Sequence, residues 1–257
     1  MGILNVTPDS FYDGGRYNTP EKALEHAEKM VKDGADIIDI GANSTRPGAN
    51  VLSAEKELEI IKRYIPFLTE RLDTVFSVDT FYPEVAEFAL QNGVSIINDV
   101  SGVFNEEMAK TVKKHNCGWV IMHTGGGDAN KKVEYSSSVT KNVNEFFDDM
   151  LKKCNEFGIS SEHIMLDPGI GFGKNFDDDI ELIKNVSKIK NKNSAFLMAL
   201  SNKRVIKNSS GAEGEERLFG TISANVISVM GGADFLRVHE VLENRLAVNT
   251  ADKIIRG

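Results

Sequence analysis

The chain has little cysteine and no long apolar run, and each shortage excludes a class of protein. Its two cysteines, Cys117 and Cys154, stand far apart and form no CxxC pair, so the sequence indicates neither a disulfide framework nor a zinc site. No run approaches the roughly 18 apolar residues that a membrane span needs, and no basic segment followed by an apolar stretch opens the chain. We therefore expect a cytoplasmic protein with no membrane partner.

Positive charge is also scarce, since 30 Lys and Arg residues against 38 Asp and Glu residues give a formal net charge of -8. No block rich in Lys and Arg interrupts this balance, which argues against binding to a phosphate backbone. Nucleic acid is therefore not an expected partner. With 257 residues, of which 41% are hydrophobic, the chain can bury a large core. We expect a single domain over residues 1–257, because no linker or low-complexity stretch divides it.

Eight short apolar runs alternate with longer segments in which apolar and charged residues recur at helical spacing. The runs span 2–6, 36–41, 75–79, 95–100, 118–123, 164–169, 196–201 and 235–240. A strand followed by a helix, repeated eight times in 257 residues, predicts an α/β protein with a single (β/α)8 TIM barrel. An open doubly wound sheet is the competing arrangement, and it does not normally need eight uninterrupted units.

Two of the predicted helices carry start signals. Thr19 followed by Pro20 predicts an N-cap and a first helical turn. Ser53 opens the next helix as a cap residue, but its third successor is Lys56, so the capping box is incomplete.

Polar residues stand at or just after the ends of the predicted strands, where the active sites of such barrels lie. They are Asn5, Asp39, Asp79, Asn98, Asp99, His123, Asp167, Ser201, Lys203, Arg237 and His239. Loops are polar in general, which accounts for some of these residues. It accounts poorly for Asp39, because an unpaired carboxylate inside an apolar run is unfavourable. We therefore expect these side chains to meet at one mouth of the barrel.

Asp79, Asn98 and Asp167 form a set that accepts and donates hydrogen bonds in fixed directions. Such a set suits a flat heterocycle edged with N–H and C=O groups, for example a pteridine or a purine, or a ligand that bears a guanidinium group. The same residues could hold a divalent metal, but His123 and His239 form no close ligand pair and no HExxH occurs. Metal-dependent hydrolysis is therefore the second interpretation.

Cationic residues are concentrated at the same face of this acidic chain: Arg46, Lys203, Arg204, Arg237 and His239. An anionic substrate or leaving group is the simplest explanation. Ordinary solvated charge explains Arg204 well. It explains Arg237 less well, since Leu236 and Val238 flank it within an apolar run.

The glycine-rich stretch DPGIGFGK, residues 167–174, is not a nucleotide-binding fingerprint. Its third glycine falls one position too early for a Rossmann turn, and Asn175 stands where a P-loop has Ser or Thr. Its glycines instead predict close approach of the backbone to a planar ligand, with Phe172 as an apolar surface.

Several blocks, in matching order and spacing over nearly the whole chain, resemble the dihydropteroate synthases, pterin-binding barrel enzymes of folate biosynthesis. The blocks span 2–15, 36–49, 77–90, 96–102, 121–123, 166–174, 200–203 and 236–241. The resemblance implies that 7,8-dihydropterin pyrophosphate condenses with 4-aminobenzoate to give 7,8-dihydropteroate and pyrophosphate. It also implies a homodimer. The predicted helices at 215–232 and 241–256 carry enough apolar and small residues for one, although packing on the barrel requires the same stripe.

The resemblance also implies roles for individual residues. Those matching the catalytic positions are Asp79, Asp167, Lys203, Arg237 and His239. Those matching the pterin site are Asp79, Asn98, Asp167 and Lys203, with Met122 and Phe172 lining the pocket. Arg237 and His239 match the pyrophosphate site, Ser201 belongs to the substrate-binding set, and Asn5 matches the position associated with Mg2+. The remaining matches are the mobile first loop, 6–15, and the second loop beside aminobenzoate, with Thr45, Arg46 and Pro47.

The chain departs from the family pattern mainly around the second substrate. Residues 201–204 read Ser-Asn-Lys-Arg where members usually read Ser-Arg-Lys-Ser, and Asn43 stands where members commonly have Glu. Arg204 either restores a partner for the aminobenzoate carboxylate or indicates a different nucleophile. The alternatives to a synthase are a pterin-binding paralogue with another second substrate or no synthase activity, and, less favoured, a pterin-dependent methyltransferase.

Overall fold

The computed structural model describes residues 1–6, 19–43, 51–126, 133–135, 137–190 and 193–257. Eight parallel strands follow one another in chain order. They are β1 (Gly2–Asn5), β2 (Ile37–Gly41), β3 (Val75–Asp79), β4 (Ile96–Asp99), β5 (Gly118–Met122), β6 (Ile164–Asp167), β7 (Ala195–Met198) and β8 (Phe235–Leu236). Main-chain bonds from Ile3 N to Val238 O and from Val238 N to Met1 O bring the end of the last unit against β1. The predicted (β/α)8 barrel is confirmed.

Helices follow the strands around the outside of the barrel. They are α1 (Pro20–Lys32), α2 (Ala54–Thr69), α3 (Pro83–Gln91), α4 (Glu106–His115), α5 (Val139–Phe157), α6 (Phe176–Lys184), α7 (Val186–Ile189), α8 (Arg204–Ser210), α9 (Arg217–Met230) and α10 (Val241–Arg256). Within the described ranges, no helix combines the length and the apolar character that crossing a bilayer requires.

The predicted helix starts are confirmed. The Thr19 hydroxyl accepts a hydrogen bond from the Lys22 N–H, and the Ser53 hydroxyl accepts one from the Lys56 N–H, each at 3.4 Å. Both bonds satisfy N–H groups that the first turn of a helix leaves without a partner. At the other end of α1, Gly34 follows with φ +99, a left-handed conformation that glycine adopts without strain.

The interior of the barrel has an apolar floor and a polar mouth. Alternate residues of each strand point inward and line both. The floor is a buried cluster from several strands: Met1, Ile37, Val120, Met165 and Leu197. Two residues further along β2, β5 and β6, the same inward faces carry Asp39, Met122 and Asp167. Floor and mouth are therefore successive layers of inward-pointing residues, and the change from apolar to polar side chains along each strand separates the core of the barrel from its site.

A second apolar layer lies between the strands and the surrounding helices. On one side it contains Trp119, Phe147 and Phe196, each 2% exposed or less. The Phe147 ring of α5 meets the Phe196 ring of β7 edge-on, with 6.3 Å between the ring centroids. This layer fixes the helices on the strands and leaves the strand ends free to carry polar groups.

Three predicted strands end two or more residues earlier than the sequence indicates. The predicted ends were 169, 201 and 240, and the observed ends are Asp167, Met198 and Leu236. After Asp167 the chain leaves the ladder at Pro168, because proline has no N–H to donate. The position of Asp39 also needs correction, because β2 continues to Gly41 and Asp39 lies within the strand.

We expect Phe196→Ala to lower the free energy of unfolding by about 3–5 kcal/mol, because it opens a cavity where surrounding residues cannot collapse. Phe176→Ala is the matched control, since Phe176 is 38% exposed. Denaturant unfolding followed by circular dichroism measures both variants. Equal losses in the two variants would contradict this account of the core.

Candidate active site

The described residues of the predicted site all lie at the mouth of the barrel, at or after the C-terminal ends of strands. They are Asn5, Asp79, Asn98, Met122, Asp167, Phe172, Ser201, Lys203, Arg237 and His239. Thr45, Arg46 and Pro47, with residues 7–15, lie outside the described residues. The mouth divides into three groups of side chains that are in hydrogen-bonding contact.

The first group surrounds the Arg237 guanidinium, which the segment after β8 brings into the barrel. Its Nε donates to Asp39 Oδ2 at 2.6 Å, and its Nη2 donates to Asp79 Oδ2 at 3.0 Å. Asn98 Nδ2 donates to the same Asp39 oxygen at 3.0 Å. Arg237, predicted at the pyrophosphate, therefore contacts a residue of the predicted pterin set directly.

The sequence predicts Asp39 at this mouth but indicates no role for it in binding or catalysis. It is fully buried, and its partner Arg237 lies 198 residues away in the chain. The signal in the sequence was a carboxylate flanked by isoleucines, which indicates a buried acid that needs a partner. The identity of that partner depends on the closure of the barrel, which sequence spacing does not reveal.

Burial dominates the electrostatics of this mouth. Burial, opposed by Arg237 and assisted by nearby Asp39, raises the pKa of Asp79 to about 7. Burial also raises the pKa of Asp167, against the effect of Lys203. The pKa of Lys203 falls to about 8 because burial disfavours its charge more than Asp167 favours it. The site thus holds one acid, Asp79, and one base, Lys203, whose pKa values lie within about one unit of neutral pH.

The second group is built on the glycine-rich loop after β6. Asp167 Oδ1 accepts a hydrogen bond from Gly169 N at 2.7 Å. Lys203 reaches the loop from the end of β7 and donates to Ile170 O at 2.6 Å, with its Nζ 5.0 Å from the centroid of the Phe172 ring. The loop therefore brings together Asp167, Phe172 and Lys203, three residues of the predicted pterin site.

The third group joins the ends of the last two strands. Ser201 Oγ lies 2.9 Å from His239 Nδ1 and 3.4 Å from Glu240 Oε2. Asn202 Nδ2 donates to Glu240 Oε1 at 3.3 Å. Asn202 has φ +59, a left-handed conformation that asparagine tolerates better than most residues. Arg204 begins α8 and is exposed, so its guanidinium is accessible.

Asn5 ends β1, and Asn43 follows β2. Gly41 separates Asn5 from Asp79, and a Cβ added there would lie 3.5 Å from both Asn5 Oδ1 and Asp79 Cβ. Asn43 donates to the buried Glu57 and accepts from Leu52 N at 2.7 Å. The absence of a side chain at Gly41 leaves space beside the amide oxygen of Asn5. The two hydrogen bonds of Asn43 fix a residue that departs from the family pattern.

His123 does not join these groups. It is buried after β5, where Nε2 contacts Asn142 Oδ1 at 2.9 Å and Nδ1 contacts Lys174 Nζ at 3.0 Å. In the parts of the chain that are described, no three or more His, Cys, Asp or Glu side chains are grouped so that they could hold a metal ion.

Comparisons with known proteins agree with this geometry. Residues 1–239 match the family model described as pterin binding enzyme. The dihydropteroate synthase of Clostridium beijerinckii is 40% identical over 100% of this chain and 94% of its own length. A crystal structure of the Clostridium difficile dihydropteroate synthase in the presence of pteroic acid superposes with a TM-score of 0.92 at 39% identity, covering 100% of this chain and 96% of that one.

A third similar protein is the Xanthomonas albilineans dihydropteroate synthase, solved with 4-aminobenzoic acid. It has a TM-score of 0.91 and 35% identity, covering 99% of this chain and 92% of its own. The match extends over the strands and helices that position all three groups of the mouth. This chain therefore belongs to the pterin binding enzyme family, among its dihydropteroate synthases.

Proposed function

We propose that the polar mouth of this barrel binds 7,8-dihydropterin pyrophosphate and joins it to 4-aminobenzoate, giving 7,8-dihydropteroate and pyrophosphate. One observation about Asn98 carries this assignment. Its side-chain oxygen is buried without a hydrogen-bond partner among the described residues, while its nitrogen is already bonded to Asp39. A buried acceptor without a donor is unfavourable, so the site calls for a ligand with N–H groups. The edge of a pterin ring supplies them.

Asp79 and Asp167 are the proposed anchors of the pterin ring. Both carboxyls are largely buried, and burial raises both pKa values. A ring N–H pointing at either group favours its ionised form and, in return, the ionised group favours a positively charged ring. Lys203 provides a donor for the ring carbonyl, and Phe172 and Met122 provide apolar surface. Support comes from the contacts of the Lys203 ammonium with the Ile170 carbonyl and the Phe172 ring, which lie in the same loop.

The proposed reaction substitutes one bond at the methylene carbon of the pterin. The C–O bond to pyrophosphate breaks, and its electron pair departs with the pyrophosphate. The amine of 4-aminobenzoate forms the new C–N bond and then releases a proton. Because the electron-rich ring stabilises positive charge at the methylene, the amine needs to be positioned rather than activated by a strong base.

Arg237 and His239 are the proposed partners of the departing oxygens. A guanidinium has five N–H donors, and Arg237 uses Nε and Nη2 for Asp39 and Asp79. Its Nη1 remains for an anion without loss of either carboxylate contact. Negative charge that develops on the leaving group is stabilised by such preorganised donors.

Asn5 is the proposed protein ligand of Mg2+. Its amide oxygen is a hard donor of the kind that Mg2+ prefers, and Gly41 leaves space beside it. Because Mg2+ is often held by one or two protein oxygens together with substrate phosphates, one amide fits this role. When bound, the ion would neutralise charge on the pyrophosphate oxygens.

The test of this function is pyrophosphate release from dihydropterin pyrophosphate and Mg2+, with and without 4-aminobenzoate. We expect 4-aminobenzoate to stimulate release, and Asp167→Asn to lower kcat/KM by a factor on the order of 100. The double variant Asn202→Arg, Arg204→Ser carries the usual family residues and serves as the matched comparison. Stimulation confined to the double variant would show that this chain uses another second substrate.

We expect the affinity for 6-hydroxymethyl-7,8-dihydropterin to rise with pH and to level off near pH 7. The pKa of Asp79 is about 7 in the free protein, and ligand N–H groups lower it, so binding releases a proton below that pH. Isothermal titration calorimetry across this range measures the dissociation constant. This ligand has no pyrophosphate, so no titration of phosphate groups contributes to the result. Asp79→Asn should reduce the rise in affinity below pH 7, and an unchanged slope in that variant would rule out Asp79 as its origin.

We also propose that the protein forms a homodimer through α9 and α10. Seven of the eleven exposed large hydrophobic residues of the described chain lie on these helices: Phe219, Ile227, Met230, Leu242, Leu246, Ile254 and Ile255. On α9 they are spaced as one stripe, as are Leu242, Leu246 and Ile254 on α10. Contiguous exposed apolar patches of this kind are typical of protein interfaces.

We expect the double variant Ile227→Glu, Leu246→Glu to shift the protein from dimer to monomer, because charged groups would be buried at the interface. Sedimentation velocity measures the change. Val103→Glu is the control, since Val103 is 52% exposed and lies outside these helices. A double variant that sediments like the wild-type protein would exclude this surface.

A further inference from the structure

Lys174 ends the glycine-rich stretch, and it is a buried cation with no part in the proposed chemistry. It is 2% exposed. Its Nζ lies between four acceptors: His123 Nδ1 at 3.0 Å, His123 O at 3.1 Å, Gly169 O at 3.0 Å and Phe172 O at 3.0 Å. A buried charge is unfavourable unless its hydrogen bonds are satisfied. The surroundings of Lys174 are therefore organised around an ammonium group.

The imidazole of His123 belongs to this arrangement. Burial lowers its pKa to about 4, so the ring is neutral at physiological pH. Asn142 Oδ1 lies 2.9 Å from Nε2, which places the ring proton on Nε2 and leaves Nδ1 as an acceptor. All four atoms that surround the Lys174 ammonium are thus acceptors.

The loop of residues 169–172 curls between this ammonium and two carboxylates. Its carbonyls at Gly169 and Phe172 point to Lys174. The N–H groups point the other way, from Gly169 to Asp167 at 2.7 Å and from Gly171 to Asp179 Oδ1 at 2.8 Å. Only glycine fits at 169, because a Cβ there would lie 1.9 Å from the His123 carbonyl oxygen. The loop therefore has fixed polar partners on both sides.

The same loop meets Lys203 of the site. Ile170 O accepts from Lys203 at 2.6 Å, and the Phe172 ring lies 5.0 Å from the same ammonium. Ile170 stands between the two residues whose carbonyls Lys174 holds. We propose that Lys174 is a positioning residue: its ammonium holds loop 169–172 in the shape that presents the Ile170 carbonyl and the Phe172 ring to Lys203. This rests on the proposed function, in which Lys203 and Phe172 bind the pterin.

The experiment compares Lys174→Met, which keeps the length of the side chain and removes its donors, with Lys184→Met as the control. Lys184 is exposed at the end of α6, in the same part of the chain. Amide hydrogen exchange at Gly169 and Gly171 reports on the loop, and calorimetry with 6-hydroxymethyl-7,8-dihydropterin reports on the site. We expect Lys174→Met to speed exchange and raise the dissociation constant, each about 10-fold or more. The control should change neither by more than about twofold.

Each outcome decides between positioning and a general structural role. Unchanged loop exchange in Lys174→Met, or faster exchange with unchanged pterin affinity, would overturn the proposal. Lys174→Gln keeps two donors, so its effects should fall between those of wild type and Lys174→Met. If the wild-type protein did not bind the pterin, the proposed function would fail, while the exchange rates would still report whether Lys174 holds the loop.

The wild-type protein supplies a test that needs no substitution. Burial lowers the pKa of Lys174 to about 7, against the opposing effects of Asp179, Asp167 and Asp178 and in the same direction as Lys203. Above that pH the amine has one donor fewer. We expect the protection of the Gly169 and Gly171 amides, relative to that of α1, to fall several-fold between about pH 6 and pH 8.5. A constant ratio would contradict the proposal even if the variants did not fold.

Discussion

The Arg237 guanidinium connects the last strand of the barrel to the second and third. It lies across the interior from β8 to Asp39 on β2 and Asp79 on β3. Without it, two buried carboxylates would face each other in a site of low dielectric constant, which is strongly unfavourable. The contact therefore contributes to barrel closure and to the charge of the site at once. A barrel that opened between β8 and β1 would lose both.

The two acids that Arg237 contacts have different surroundings. Asp39 is fully buried and its Oδ2 receives two hydrogen bonds, from Arg237 and Asn98. Asp79 receives one from Arg237, and burial together with Asp39 raises its pKa to about 7. Asp39 thus holds Arg237 and Asn98 in place, whereas Asp79 has a raised pKa that a ligand with N–H groups would lower.

The strand and helix pattern of the sequence predicted most of the fold, because each unit follows a local rule. The periods of strand and helix, and the caps at Thr19 and Ser53, depend on neighbouring residues alone. Strand ends were less predictable in the last three units, where the ladder depends on partners from other strands. The second loop with Thr45, Arg46 and Pro47 is outside the described residues, so its predicted role stays a prediction.

The sequence predicted which residues form the site, but not which of them contact each other. Polar residues at strand ends were visible, and the barrel rule placed them together. The pairs that organise them join distant parts of the chain: Arg237 with Asp39 is one, and Lys174 with His123, 51 residues apart, is another. The glycine-rich motif excludes a P-loop through Asn175, but it gives no sign of the carbonyls that surround Lys174.

The departures from the family pattern fall where the surroundings can accept a different side chain. Asn202 is half-buried and Arg204 is exposed, so neither must satisfy a fully desolvated partner. Asn43 is the informative case, because it donates to Glu57, a residue that is fully buried and whose pKa burial raises. It also accepts from Leu52 N, which requires an oxygen at the same position. An amide meets both needs at once, whereas a carboxylate at 43 would share the space with Glu57 only if one of the two acids held a proton.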